Sequence, residues 1–424
     1  MNLQFLFTFV FLVAIIDLYY YRSLRIAIKG KERIKLVPNW VRYTYWGFSA
    51  FTLVFLLFAM SFYVAKVPPP PFARTYVTGF IFIVILSKIT GVLFFVIDDL
   101  KNIIHWTSRS LSAAISKKEN NSPKMSRGAF LKQSGLVASA LPFVTMMYGV
   151  VKSAFDYNLI RVKLKAPNLP EAFHGFKMVQ VSDIHSGSFI STSPLRDAVK
   201  MINEQNPDVV FFTGDLVNEV AGEAVPYIDE LKQIHAKHGV FSILGNHDYG
   251  DYFYQKGDLA GRANNKAQMI DIHHKMGWDV LLNENRVLEI NSQKINIMGV
   301  ENWGLGGRFQ KYGDVTEARK TAIDTDFKIL LSHDPSHWNA VVRKEHSDID
   351  LTLSGHTHGF QMGVEIPGYI KWSPSQYLFE EWAGLYQKDA QWIYVNRGLG
   401  FIGYPGRLGI LPEITVIELE KTQA

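Results

Sequence analysis

Seven side chains of the types that bind divalent metal ions follow short apolar runs in the second half of this 424-residue chain. Each run is rich in β-branched and aromatic residues and is closed by glycine or polar residues, which is typical of buried strands. One metal ion needs about four to six donors, so this set is enough for two ions that share a carboxylate. Such a pair can clamp an in-line displacement at phosphorus. The seven are Asp183, His185, Asp215, Asn246, His333, His356 and His358.

The elements that must position these side chains alternate along the chain. Helix-like stretches such as 193–203 and 224–235 separate several of the apolar runs, which indicates a mixed α/β domain. Glycine directly precedes Asp215, Asn246 and His356, where it allows the backbone to turn sharply. We place this domain at 153–424.

The first part of the chain, 1–152, predicts a membrane module. Uncharged or nearly uncharged runs recur there, each long enough to cross a hydrocarbon core of about 30 Å at roughly 1.5 Å per residue. Asp17 and Lys88 are ionisable groups at membrane depth. We expect Asp17 at the membrane interface and Lys88 to snorkel or to pair within the bundle, in preference to a transport pathway. We expect transmembrane helices at about 3–21, 43–65, 75–97 and 133–151.

Charge is divided unevenly between the two parts. Residues 1–152 carry 18 Lys and Arg against 5 Asp and Glu, whereas 153–424 carry 26 against 34. Because the basic residues belong to the apolar part, the lipid bilayer is the expected partner and nucleic acid is not. The chain has no cysteine, which excludes disulfides, a thiolate zinc site and a cysteine nucleophile.

The basic loops predict the membrane topology. The segments 22–42 and 98–132 each hold seven Lys and Arg residues and are expected in the cytoplasm. The domain at 153–424 would then lie outside the cytoplasm, whereas without a span at 133–151 it would lie inside. The segment 126–132 resembles a twin-arginine export signal with Gly128 in place of the second arginine, but ordinary membrane insertion is the simpler route.

The ordered motifs D-x-H, G-D, G-N-H-D, H and G-H-T-H resemble those of the calcineurin-like metallophosphoesterase superfamily, over about 177–424. The stretches Asn396–Gly400 and Pro412–Ile414 resemble its membrane-attached or exported bacterial branch. The resemblance implies an α/β fold, a four-layer αββα sandwich with metals at one edge, here preceded by an α-helical transmembrane module.

The resemblance also implies roles for individual residues. A hydroxide between the two ions would attack phosphorus, and His247 would stabilise the phosphoryl oxygens and protonate the leaving group. Oxygen and imidazole ligands suit Mn, Fe or Zn without distinguishing them. The first ion would take Asp183, His185, Asp215 and His358, and the second would take Asp215, Asn246, His333 and His356, with Asp215 bridging.

Five further residues are possible contributors to the site. Asn218 stands where many relatives carry an acid that pairs with the catalytic histidine, and an amide cannot stabilise an imidazolium as a carboxylate would. Phe360 stands where this branch often has glycine, and it could narrow the mouth of the site or contact substrate. Asp248 orients the loop or caps a helix. Arg397 and Arg407 bind a phosphate or diphosphate, or form salt bridges.

An aromatic-rich segment at 366–386 has two interpretations. It could rest at the bilayer interface, where tyrosine and tryptophan are enriched, or it could pack as a cap over the sheet. Its aromatic residues are Tyr369, Trp372, Tyr377, Phe379, Trp382 and Tyr386.

The sequence therefore predicts a membrane-anchored dimetal phosphoesterase. The substrate would be a phosphodiester, pyrophosphate or phosphomonoester, lipid-linked or envelope-related, cleaved outside the cytoplasm of a bacterial inner membrane. One alternative is a cytoplasm-facing pyrophosphatase that cleaves a nucleotide-linked lipid precursor. Another is a non-catalytic membrane sensor or scaffold, which the retention of every metal ligand disfavours.

Overall fold

The structure is a computed structural model that describes residues 3–29, 37–65, 67, 69–112, 127–255, 257–306, 310–366 and 368–422. The basic loops at 22–42 and 98–132 and the twin-arginine-like segment at 126–132 therefore lie partly outside the described residues. Two compact units divide between Tyr148 and Gly149. The boundary that the sequence places between 152 and 153 stays a prediction.

The first unit is helical. It contains α1 (Leu3–Lys29), α2 (Asn39–Ala65), α3 (Thr78–Ser112), which a π-helical turn at Ala73–Val77 precedes, and most of α4 (Arg127–Val151). Among the described residues, four stretches are long and apolar enough to cross a membrane: Phe7–Ile28, Asn39–Phe62, Ala73–Ile104 and Leu131–Phe155.

All four helices extend beyond the apolar runs from which they were predicted. Helix α1 continues to Lys29, α2 already begins at Asn39, α3 runs to Ser112 and α4 already begins at Arg127. The reason is that i to i−4 backbone hydrogen bonds continue through flanking polar turns and need no apolar side chain.

In its described residues, the second unit contains two six-stranded sheets and a separate two-stranded sheet. The first sheet has the order β1 (Asn158–Ala166), β14 (Glu413–Lys421), β2 (Lys177–Val181), β3 (Val209–Phe212), β4 (Val240–Ser242), β5 (Asp279–Val280). The second has the order β12 (Gly384–Lys388), β13 (Gln391–Val395), β9 (Leu351–Ser354), β8 (Lys328–Leu331), β7 (Gln293–Gly299), β6 (Glu284–Ile290). The small sheet pairs β10 (Val364–Ile366) with β11 (Ile370–Trp372). The helices are α5 (Ser193–Asn203), α6 (Ile228–Leu231), α7 (Leu259–Lys275), α8 (Val315–Arg319) and α9 (Arg343–Glu345).

The two large sheets pack face to face with helices outside. Side chains of β3 alternate between the two faces of their sheet. Val209 and Phe211 join a core shared with the second sheet, whereas Val210 and Phe212 join a core shared with α5 and α7. A third core lies between the second sheet and the segment around Trp338. These layers confirm the predicted α/β sandwich.

The strand directions place the candidate ligands. Strands β2, β3 and β4 are mutually parallel, and β8 and β9 are parallel in the other sheet. Because parallel strands end at the same edge of a sheet, the polar residues that follow them are collected there.

Candidate dimetal site

One group of candidate ligands combines Asp183, His185 and His358. Their ligand atoms all lie within 4.8 Å of one another. The Nε2 atoms of His185 and His358 are 3.0 Å apart, and Nε2 of His358 lies 3.3 Å from Oδ1 of Asp183. Two imidazoles and a carboxylate that converge in this way can hold a divalent ion.

A second group combines Asp215, His333 and His356, again with ligand atoms within 4.8 Å of one another. Oδ2 of Asp215 lies 3.1 Å from Nε2 of His333 and 3.7 Å from Nε2 of His185 in the first group. This carboxylate therefore stands between the two groups, where a bridging ligand would be needed.

Asn246 provides the test of whether a metal ion fits. Its Nδ2 donates a hydrogen bond to the Tyr252 hydroxyl at 2.9 Å. Its Oδ1 is buried and has no hydrogen-bond partner among the described residues. A buried amide oxygen without a partner is costly, and a divalent ion bound beside it would satisfy it. The residues present thus fit two ions, and their individual roles stay predictions.

The backbone of the candidate ligands is strained. Five of the seven have a left-handed conformation, with φ between 48° and 70°, although none is glycine. Such a conformation costs about 1–3 kcal/mol per residue and persists only where the surroundings enforce it. Strain of this kind concentrates at functional sites. The five are Asp183, His185, Asp215, His356 and His358.

Backbone carbonyls orient two of the imidazoles. Nδ1 of His333 lies 2.7 Å from the carbonyl oxygen of Thr213, and Nδ1 of His185 lies 3.1 Å from that of Val217. Because a carbonyl oxygen can only accept a hydrogen bond, Nδ1 of each ring must carry the proton. The Nε2 atom of each ring then faces the site, where it can bind a metal ion.

Without bound metal, the pKa values of several candidate ligands are shifted from their usual range. Burial raises the pKa of Asp183 to about 7 and lowers that of His185 to about 3. Burial also acts to lower the pKa of His333, but the adjacent Asp215 carboxylate outweighs it and raises that pKa to about 10. Without metal, His333 therefore holds a second proton while His185 stays neutral, and a divalent ion would displace the extra proton of His333.

His247 lies beside both groups and is half-buried. Its Nδ1 is 2.6 Å from the carbonyl oxygen of Asn218, and its backbone N–H donates to Oδ1 of Asp215 at 2.9 Å. Its ring stacks on Tyr252, with centroids 4.3 Å apart. The side chain of Asn218 points elsewhere and donates to Oγ of Ser188 at 2.9 Å. The backbone carbonyl of Asn218, and not its side-chain amide, therefore contacts the His247 ring.

Asp248 supports the loop that carries Asp215. Its buried carboxylate accepts backbone hydrogen bonds from Gly245, Asp215, Leu216 and Val217 at 2.8–3.2 Å. The residues around it form turns and no helix begins there, so the contacts favour the loop-orienting interpretation over the helix cap.

The two arginines are held by protein groups. Arg397 forms a bidentate ion pair with Glu365 at 2.6 and 2.8 Å and contacts Glu413 at 3.2 Å. Arg407 is fully buried and donates to the carbonyl of His358 at 3.2 Å. These contacts favour a structural role over phosphate binding. Phe360, next to this loop, is 50% exposed.

Two residues near the site were missed in the sequence. Tyr252 contacts both His247 and Asn246, but it stands in a turn that has no motif of its own. Asp334 is buried, with Oδ2 3.7 Å from Nε2 of His356. Its position directly after His333 was the available signal, since carboxylates often orient ligand histidines.

The fold and the site define a hydrolase of phosphoric esters with a metal-binding centre and a membrane module. Residues 3–154 match the family described as "Probable Calcineurin-like phosphoesterase, transmembrane domain", and residues 176–360 match "Calcineurin-like phosphoesterase". The chain is 32% identical over 305 residues to the uncharacterized metallophosphoesterase YkuE of Bacillus subtilis, covering 70% of this chain and 99% of that protein. The chain belongs to the calcineurin-like phosphoesterase family, which confirms the resemblance.

Two other relatives also carry informative names. A transmembrane protein with metallophosphoesterase domain from Danio rerio is 28% identical, over 73% of this chain and 68% of that protein. The UDP-2,3-diacylglucosamine pyrophosphatase LpxG of Chlamydia trachomatis is 27% identical, over 62% of this chain and 89% of that protein.

Proposed function

We propose that the protein hydrolyses a phosphodiester or pyrophosphate bond of a lipid-linked substrate outside the cytoplasm. Residues 1–152 would anchor it and 153–424 would catalyse. The observation that carries the proposal is the Asp215 carboxylate between two groups of metal donors, with His247 hydrogen-bonded to the same residue. The relative LpxG, named as a pyrophosphatase of a diacylated nucleotide sugar, supports a lipid-linked substrate.

The proposed chemistry assigns a task to each part of the site. Two divalent ions held by the donor groups would polarise the phosphoryl oxygens and lower the pKa of water towards neutrality. The Nδ1–H of His247 is occupied by the Asn218 carbonyl. Its protonated Nε2 is thus available to hydrogen-bond a phosphoryl oxygen and then to give its proton to the leaving oxygen. Tyr252 restrains the ring by stacking.

The test uses the full chain in phospholipid nanodiscs, stripped with a chelator and reloaded with Mn²⁺. Bis(p-nitrophenyl) phosphate and p-nitrophenyl phosphate serve as the diester and monoester. Asp215→Asn should lower turnover by about 100-fold or more, since even residues that only orient ligands cost about 10- to 100-fold. It should also lower the amount of bound metal.

The matched control is Asp324→Asn, because the Asp324 side chain is 98% exposed. Equal turnover in the Asp215 and Asp324 variants would contradict the proposal. Bound metal without turnover of either substrate would favour a non-catalytic sensor.

A cytoplasm-facing pyrophosphatase is the second candidate, favoured by the nucleotide-linked substrate in the name of LpxG. The chain has no cysteine, so Asp324→Cys provides one specific label site. A membrane-impermeant maleimide that labels it in intact cells places the domain outside. Labelling only after lysis places it inside.

A further inference from the structure

The small sheet formed by β10 and β11 is separate from both large sheets. Its antiparallel register pairs Val364 with Trp372, Glu365 with Lys371, and Ile366 with Ile370. Directly paired residues project from the same face, and successive residues project from opposite faces. One face of this hairpin is therefore wholly apolar, and the other carries the charged pair.

The charged face is held against the rest of the domain. Glu365 forms the bidentate ion pair with buried Arg397. Lys371 Nζ donates to the carbonyl of Ala383 at 2.5 Å and lies 5.2 Å from the centre of the Trp382 ring. The charges thus face the protein, which leaves the apolar face directed away from it.

The apolar face is exposed. The exposed fractions are 46% for Val364, 48% for Ile366, 49% for Ile370 and 40% for Trp372, and Tyr369 at the turn reaches 88%. A hairpin at a water-exposed surface normally packs its apolar face against the domain and turns its charged face to water, because removing apolar surface from water is favourable. The arrangement here is the reverse.

Neighbouring residues extend this surface. Tyr377 and Leu378 are 74% and 68% exposed, and the Tyr377 hydroxyl lies 3.4 Å from Nε1 of Trp372. We call Val364, Ile366, Tyr369, Ile370, Trp372, Tyr377 and Leu378 the hairpin patch. Trp382, later in the aromatic segment, is instead buried. Within the segment at 366–386, the part around Trp382 is therefore packed into the domain, whereas the part before it forms an exposed aromatic surface.

We propose that the hairpin patch inserts into the interfacial region of a lipid bilayer. A bilayer is the expected partner of this patch because a membrane lies close to the domain along the chain. The last candidate membrane span ends at Phe155, shortly before β1 begins at Asn158. The domain is thus tethered to a bilayer. Tyrosine and tryptophan combine an apolar ring with a polar group and are enriched at membrane interfaces.

The contact is apolar rather than electrostatic. The two cations at the hairpin, Lys371 and Arg397, are both engaged on the protein side. Insertion should therefore occur in zwitterionic lipid and be insensitive to salt, in contrast to binding through basic patches.

The hairpin also adjoins the candidate metal centre. Oγ of Ser373, directly after β11, donates to the carbonyl of Gly359 at 2.7 Å, and Gly359 follows the candidate ligand His358. Insertion of the patch would hold this loop close to the lipid headgroups, where the phosphoester of a lipid-linked molecule lies. The bilayer contact itself does not depend on the proposed reaction.

The test again exploits the absence of native cysteine. The full chain with Tyr369→Cys is labelled with a nitrobenzoxadiazole maleimide and placed in phosphatidylcholine nanodiscs that contain lipids spin-labelled near the carbonyl. Interfacial residues lie about 5–10 Å deep, so the label should be quenched by these lipids and its emission blue-shifted. The label at Asp324→Cys is the control and should show neither effect.

A second variant assigns the effect to the apolar face. Adding Ile366→Ser and Ile370→Ser to Tyr369→Cys should reduce quenching to the level of the control, with thermal melting used to verify folding. Quenching of the Tyr369→Cys label no greater than that of the control overturns the proposal. So does quenching that requires anionic lipid, quenching that persists in the triple variant, or energy transfer between labels on two copies of the chain, which would place a second copy on the patch.

Discussion

His247 Nδ1 lies 2.6 Å from the backbone carbonyl oxygen of Asn218. The main chain thus orients the imidazole at a position where an acidic side chain would otherwise be expected. A carbonyl oxygen accepts this hydrogen bond whether the ring is neutral or protonated. His247 can therefore keep one orientation while it loses and regains a proton at Nε2.

This relationship predicts unequal effects of two substitutions. His247→Gln should lower kcat by about 10²–10⁴, the usual contribution of a general acid, without loss of bound metal. Asn218→Ala should lower kcat by less than about tenfold, because it removes only the hydrogen bond to Ser188 and keeps the carbonyl. Steady-state kinetics and metal analysis check both. A loss in Asn218→Ala as large as that in His247→Gln would show that the amide, and not the carbonyl, positions the ring.

Much of the site could be predicted because it depends on local patterns. A polar residue after a short apolar run identifies the end of a strand, and parallel strands bring such ends together. Asp183, Asp215 and His356 follow this rule. The contact between Asn218 and His247 could not be predicted in this way. The sequence shows which side chain is present at 218, but not that the backbone carbonyl of this residue lies closer to the imidazole than its side chain does.

Contacts made by turns and by segments far apart in the chain could not be predicted from the sequence. Tyr252 reaches His247 only through the path of the turn between them, and Arg407 reaches His358 from a remote part of the chain. The alternation in β10 and β11 could be recognised in the sequence, but which face points outward depends on the ion pair between Glu365 and Arg397.

Phe360 predicts a stability difference between two small replacements. Its backbone has φ 58° and ψ 9°, a left-handed conformation that costs about 1–2 kcal/mol for a residue with a Cβ. Phe360→Gly relieves this strain, whereas Phe360→Ala removes the same ring and retains it. We expect the glycine variant to be more stable than the alanine variant, because its backbone strain is relieved. The difference should be no more than about 1 kcal/mol, because glycine loses more conformational entropy on folding and this offsets part of the gain. Thermal melting of the two variants decides this, and a lower melting temperature for glycine would contradict it.

His273 predicts how acid affects stability. It is fully buried with Nδ1 2.8 Å from Oγ of Ser242, and burial lowers its pKa to about 3. An unfolded histidine has a pKa of about 6.5, so below pH 6.5 the unfolded chain takes up a proton that the folded chain does not. His273 should therefore contribute a loss of stability of about 1.4 kcal/mol per pH unit as the pH falls from about 6 to about 3.

The measurement is guanidinium unfolding of the full chain in detergent at several pH values, followed by near-ultraviolet circular dichroism. His273→Gln should show a shallower fall of stability with decreasing pH, by about 1.4 kcal/mol per unit. His235→Gln, at an exposed position, is the control. Equal pH dependence in His273→Gln and His235→Gln would show that His273 is protonated in the folded state.

The ion pair between Asp17 and Lys88 predicts non-additive effects in the membrane module. Lys88 Nζ donates to Oδ1 of Asp17 and to Oγ of Ser49 at 3.2 Å, and the two charged side chains are only 11% and 10% exposed. The Tyr45 hydroxyl donates to the carbonyl of Asp17 at 2.8 Å. These contacts connect α1, α2 and α3, and they pair Lys88 within the bundle, which is one of the two placements expected for it from the sequence.

Either single substitution, Asp17→Asn or Lys88→Met, leaves the opposite charge buried without its counterion. Loss of one partner of a buried pair costs about 3–5 kcal/mol, whereas replacement of both is often close to neutral. The double variant should therefore melt at a higher temperature than either single variant, measured in the same nanodiscs. A double variant whose loss equals the sum of the two single losses would mean that the charges act independently, as they would if each were solvated in its own water-filled path through the bundle.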